Sequence, residues 1–320
     1  MTTWRAHGRR ATKWLRRHNT PHGMRRGAST TIRATVIDEG TGFVVGQTLT
    51  RREGRSQSDG PYEGVPQHLN PPIRHWLDGA FGCPGGQFIA RRSRTAVMLA
   101  VAATCRVPLN AGAHSSRLYN EIIEFCNWDQ EQFLDVVHAT IQLTQEYWSV
   151  EELEEMHAYG GSAWTATKTG LQRRVEPVAQ TAYDNAVSQA HDPASDELAE
   201  AWRKAYGREP DPSDAWDHSI KAVEAVLIPI VVPTQDKPHL GHVLGQLDRQ
   251  DARWQLLLTA QQGITPMETL VGMLRLIYPN PDRHPGPERR VPMLEEAQAA
   301  VHLAVTIVQW GRAGVLRRLP

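Results

Sequence analysis

Thr265–Trp310 reads TPMETLVGMLRLIYPNPDRHPGPERRVPMLEEAQAAVHLAVTIVQW. Its succession of apolar period, polar loop and apolar period decides the fold class. Thr265 is a helix cap, Pro266 suits the first helical position, and Glu268 closes a capping box back onto Thr265. Leu270, Met273, Leu274 and Ile277 then recur at 3,4 spacing, which predicts one apolar face on a helix over 266–278. Pro279 ends that helix, because a proline disfavours helical geometry at the residue before it. A loop, Pro279–Gly286, follows. The next helix is expected over 292–310, with Leu294, Ala297, Val301, Ala304 and Val308 on one stripe and Glu295 and Glu296 in its first turn, where the helix dipole favours acids. Two amphipathic helices joined by a short polar loop are expected to pack antiparallel.

Upstream, the same signals recur. Asp211 caps a long helix with Pro212 at its first position, and Trp216, Ile220, Val223, Leu227 and Ile230 keep helical period up to Pro229, which is expected to kink or end it. Leu240, Val243, Leu244 and Leu247 form another stripe. Helical patterns begin after Pro66, one holding Ile73, Trp76 and Leu77, and further helices are expected over 93–105, 118–126, 130–143, 151–157, 177–189 and 196–206. Lys168-Thr169-Gly170 predicts a small hairpin between 163–167 and 171–175, and Glu39-Gly40-Thr41-Gly42 another between 31–37 and 43–49. The expected fold class is mainly α: helical domains with one or two small β-hairpins. Residues 1–27 read as a basic, disordered tail, 28–190 as a mostly helical N-terminal domain, and 191–320 as a C-terminal helical domain.

Lys+Arg and Asp+Glu balance at 35 each in 320 residues, so overall charge draws the chain to neither a polyanion nor a membrane. The exception is the tail, where Arg5, Arg9, Arg10, Lys13, Arg16, Arg17, Arg25 and Arg26 stand without one acid. No apolar core follows these charges, so they are not a secretory signal. Cys83, Cys105 and Cys126 are too few and too widely spaced for a disulfide framework or a zinc site, and a cytoplasmic location fits. The most apolar runs, 96–105 and 225–232, are too short to span a bilayer.

Gly82-Cys83-Pro84-Gly85-Gly86 lacks the Gly-Lys-Ser/Thr ending of a phosphate-binding loop. His239 and His242 share a helix face without a third ligand, and the acids at 151, 152, 154 and 155 read as a solvated face. No metal or cofactor site is expected. The loop 280–284 differs, because Asn280, Arg283 and His284 converge at a helix–helix junction. Histidine moves protons near neutral pH, and an arginine holds a phosphate without losing its charge. Asn-Pro-Asp and His-Pro-Gly are also ordinary turn chemistry, so a purely structural loop stays open.

Residues 211–316 resemble the C-terminal helical domain of abortive-infection-type bacterial proteins, related to the HEPN group. The residues that carry the likeness are Ala222-Val223-Glu224-Ala225, Leu240-Gly241, Asn280, Arg283-His284, Glu296-Ala297 and Val301–Thr306. The resemblance implies a HEPN-like helical bundle, often dimeric, and phage defence or toxin-like RNA cleavage or binding without a metal. It implies RNA, a second copy or an antitoxin-like protein as partners. His284 would be the general acid/base, Arg283 or Arg275 the phosphate clamp, and Asn280 the orienting residue. Pro279 stands where the family's arginine is expected. The alternative is a non-catalytic interaction or dimerisation module of the same fold.

Overall fold

A computed structural model describes residues 61–82, 94–110, 112–144, 149–188, 190–250, 253–259, 263, 265–283 and 289–319. The basic tail, the hairpin expected between 31 and 49, and His284 lie outside these residues. Among the described residues the chain is mainly helical. The first helices are α1 (Asn70–Ala80), α2 (Thr95–Thr104), α3 (Ser115–Trp128), α4 (Gln130–Thr144) and α5 (Glu151–Tyr159). An antiparallel pair, β1 (Trp164–Thr167) and β2 (Gly170–Arg173), follows in the register Trp164 opposite Arg173 and Thr167 opposite Gly170. Next come α6 (Pro177–Ser188), α7 (Pro193–Tyr206), α8 (Pro212–Val231) and α9 (Leu240–Arg249), then β3 (Trp254–Leu256), α10 (Pro266–Ile277), α11 (Leu294–Arg312) and β4 (Leu316–Arg318).

Local chemistry explains most of these bounds. Thr265 and Glu268 form the expected capping box, and Tyr278 leaves the helix in extended geometry before Pro279. Asp211 accepts from Asp214 N–H at the start of α8. Three expectations are corrected. Pro229 does not end α8 on the spot, since the helix runs two residues further, to Val231, before the Val232 cap. Strand is not confined to the expected hairpins, because β3 pairs antiparallel with β4 some sixty residues on, with Leu256 opposite Leu316. Nor are α10 and α11 primarily partners. α11 lies along α8 and α7, and α10 lies against α9. Gly311 permits the close approach of α11 to α8: a Cβ there would stand 2.2 Å from Val226 Cγ1.

Two buried clusters result. One, between Val65 and Leu171, centres on Ile73, Leu77, Phe81, Leu118, Phe133 and Leu153. His157 is sunk in this half at 1 % exposure, its Nδ1 2.9 Å from Ser162 Oγ. Burial pushes its pKa down to about 4. The other cluster, between Ala186 and Leu316, is built on α7, α8 and α11. Its centre is Trp202, fully buried and stacked on Tyr183 at 4.1 Å between ring centroids. Tyr206 and His302 pack around it. The halves are tied at Arg208, whose guanidinium bonds Asp135 at 2.8 Å and Glu131 at 2.6 Å on α4. It also lies 5.0 Å from the ring centre of Trp164.

Candidate functional site

The loop after α10 is fastened to the start of α8. Trp216 Nε1 donates to Ile277 O at 2.6 Å. Asn280 is only 2 % exposed; its Nδ2 donates to Ser213 O at 3.0 Å, and its Oδ1 accepts from Asp282 N–H at 2.9 Å. Ser213 Oγ donates to Asp282 Oδ2 at 2.7 Å, and this bond holds the Asp282 carboxyl below its ordinary range, with Arg289 helping. Both ends of the Asn280 amide are therefore used in building the turn, an arrangement natural to Asn-Pro-Asp.

Of the expected clamps, Arg283 extends toward solvent at 55 % side-chain exposure and comes 3.7 Å from Asp214 on α8. Arg275 pairs with Asp248 of α9 at 3.1 Å. The two arginines are thus held by different helices, and the structure brings Asn280 and Arg283, but not Arg275, to the α8 junction.

That junction also holds residues that sequence reasoning passed over. His218 Nδ1 lies 2.5 Å from Glu197 Oε2 and Nε2 lies 3.8 Å from Asp214 Oδ1. A carboxylate only accepts, so Nδ1 carries the proton toward Glu197. Lys204 bonds Asp214 at 2.7 Å, and this ammonium holds the Asp214 carboxyl below the usual range. Arg203 does the same for Glu200. One donor atom from each of Glu200, Asp214 and His218 can be chosen so that all lie within 4.8 Å of one another. A cation there would compete with Arg203, which bonds both Glu200 oxygens, and with the charge of Lys204 on Asp214 Oδ2. The chemistry on offer is a carboxylate–histidine pair beside one partly free arginine, in surroundings where acids and bases balance. The i,i+3 pair Glu197/Glu200 and the i,i+4 pair Asp214/His218 were visible as spacings. That they face each other depends on how α7 packs on α8.

Two of the residues that carry the resemblance also meet. Glu224 of α8 accepts from Leu240 N–H at 2.7 Å, and burial pushes its carboxyl up. His239 caps α9 by accepting from Gly241 N–H at 3.1 Å. A Cβ on Gly241 would stand 2.8 Å from the His239 ring and 3.2 Å from that of Tyr278. Each of these contacts joins backbone segments of the fold.

In the comparisons with known proteins, no family model, curated protein or solved structure matches the chain.

Proposed function

We propose that this chain is an abortive-infection-type protein whose C-terminal helices form a HEPN-like bundle working as a non-catalytic interaction module. The observation that carries this reading is the double use of Asn280. Its amide is bonded at both ends and the residue is only 2 % exposed, so the turn fixes its orientation and burial keeps its second N–H and second lone pair from a phosphate in solvent. Three of the cations agree, Arg275 being committed to Asp248, Lys204 to Asp214 and Arg203 to Glu200, while Arg283, 55 % exposed and 3.7 Å from Asp214, is held more loosely. A phosphate clamp needs positive charge free to face the charge that develops in the transition state. The partner would be a protein or a second copy, with RNA in the second reading.

That second reading is metal-independent RNA cleavage. It is favoured by one observation, the Glu197–His218 pair opening toward Asp214 and Arg283. A histidine oriented by a carboxylate is poised for proton transfer, and His284 directly follows Arg283 in the sequence. The test is incubation of the purified full chain with structured and single-stranded RNAs in the presence of a chelator, with His218→Gln and His284→Ala variants alongside. Intact RNA in all three supports the interaction module. Cleavage by the wild type that either substitution abolishes would replace it with the ribonuclease.

A further inference from the structure

A cavity of about 420 Å³ opens between the start of α1, the end of α3 and the start of α4, in the half of the molecule away from the α8 junction. The volume falls within the range of small-ligand sites, roughly 300–1,000 Å³. Trp128 stands at this cavity with 80 % of its surface exposed. A single exposed apolar side chain needs no explanation, but the company of this one does. Gln67, Asn70 and Gln130 also line the cavity, and none of their side-chain amides bonds another side chain or backbone group among the described residues. Asp129 adds a carboxylate of which one oxygen is used to accept from Glu131 N–H at 2.9 Å. Among the described lining residues there is no arginine, lysine or histidine.

These features select a ligand class. A bare indole offers a π face on which a planar ring can stack. Unbonded amides present a donor and an acceptor side by side, the pattern that pairs with adenine, and a carboxylate accepts from the amino group of cytosine. A neighbouring cation, Arg74, stands behind the wall and is bonded to the lining residue Asn127, so the groups that face the cavity are the indole, the amides and the carboxylate. We propose that this cavity takes a single unstacked nucleobase bearing an exocyclic amine, adenine or cytosine, held against Trp128 and read by Gln67, Asn70, Gln130 and Asp129. The base comes from a free nucleoside or from a single-stranded nucleic acid. The inference stands apart from the C-terminal reading, since none of the residues of the α8 junction enters it.

The test is isothermal titration of the full chain with adenosine, cytidine, uridine and ribose, then with short oligo(A) and oligo(U). Adenosine or cytidine is expected to bind saturably and at least tenfold more tightly than uridine. Trp128→Ala is expected to weaken that binding at least tenfold with an unchanged melting temperature, and Gln67→Ala to narrow the preference over uridine. Oligo(A) binding tighter than adenosine identifies a strand as the source, and equal affinity identifies the nucleoside. Asn280→Ala and Arg283→Ala leave the titration unchanged, which separates this site from the junction. The proposal is overturned by ribose or uridine binding as well as adenosine, by wild-type affinity in Trp128→Ala, or by no saturable binding in the millimolar range.

Discussion

At the scale of the residue, the groups with most chemical potential are the ones most bound into structure. His157 is an instance that pH exposes. Its folded pKa is depressed to about 4 from the 6.5 of a free histidine, chiefly by burial. The sign follows directly. Above pH 6.5 both states are neutral at this residue and its contribution to stability is fully present. As pH falls from 6.5 toward 4 the unfolded chain takes up a proton that the folded chain refuses, so stability is lost. The slope is about 1.4 kcal/mol per pH unit from this group alone. In urea unfolding between pH 7 and pH 4, the wild type is therefore expected to lose more stability than His157→Gln. Parallel pH profiles would contradict the assignment. Asn280 makes the same point at the candidate site, where a residue expected to orient chemistry is spent on a turn and on Ser213 O.

At the scale of the element, what was legible in the sequence was whatever a helix specifies within a few residues. The Thr265–Glu268 capping box and the Asp211 cap were readable because both partners lie three residues apart. The helix expected over 196–206 falls three residues short of α7, although Asp192-Pro193 is a cap and first position of the same kind, with Asp192 accepting from Ser195 N–H. The β3–β4 pair was not legible, since two three-residue strands some sixty residues apart leave no hairpin signal. The facing of Glu197 and His218 was hidden for the same reason. The packing of α11 on α8 carries a prediction that no sequence pattern contained. Gly311→Ala is expected to cost about 1–3 kcal/mol, as overpacking does, because the new methyl would meet Val226 Cγ1. Val226→Ala in that background should restore most of the loss, a coupling that a double-mutant cycle reads directly. Additive losses would show that the two helices do not meet there.

At the scale of the whole molecule, two buried clusters share one chain, and Arg208 is a polar tie between them. Its side chain is 10 % exposed while its partners Glu131 and Asp135 are about half exposed. Arg208→Ala is expected to cost about 2 kcal/mol, in the range of hydrogen bonds to charged groups, and to separate a single calorimetric transition into two, because each half keeps its own core. One unbroken transition at the wild-type temperature would contradict this. No helix among the described residues is long and apolar enough to cross a membrane, and the formal charge of zero gives the chain as a whole no long-range pull on a polyanion. Function then rests on local surfaces, and the central claim concerns one of them, that the loop after α10 is a structural joint on α8. The most direct measurement is the unfolding free energy of Asn280→Ala in urea, read beside its action on RNA. A loss of about 1–3 kcal/mol is predicted, the cost of leaving buried groups unpaired, with RNA left intact by wild type and variant alike. Unchanged stability together with the disappearance of a wild-type RNA-cleaving activity would contradict the account.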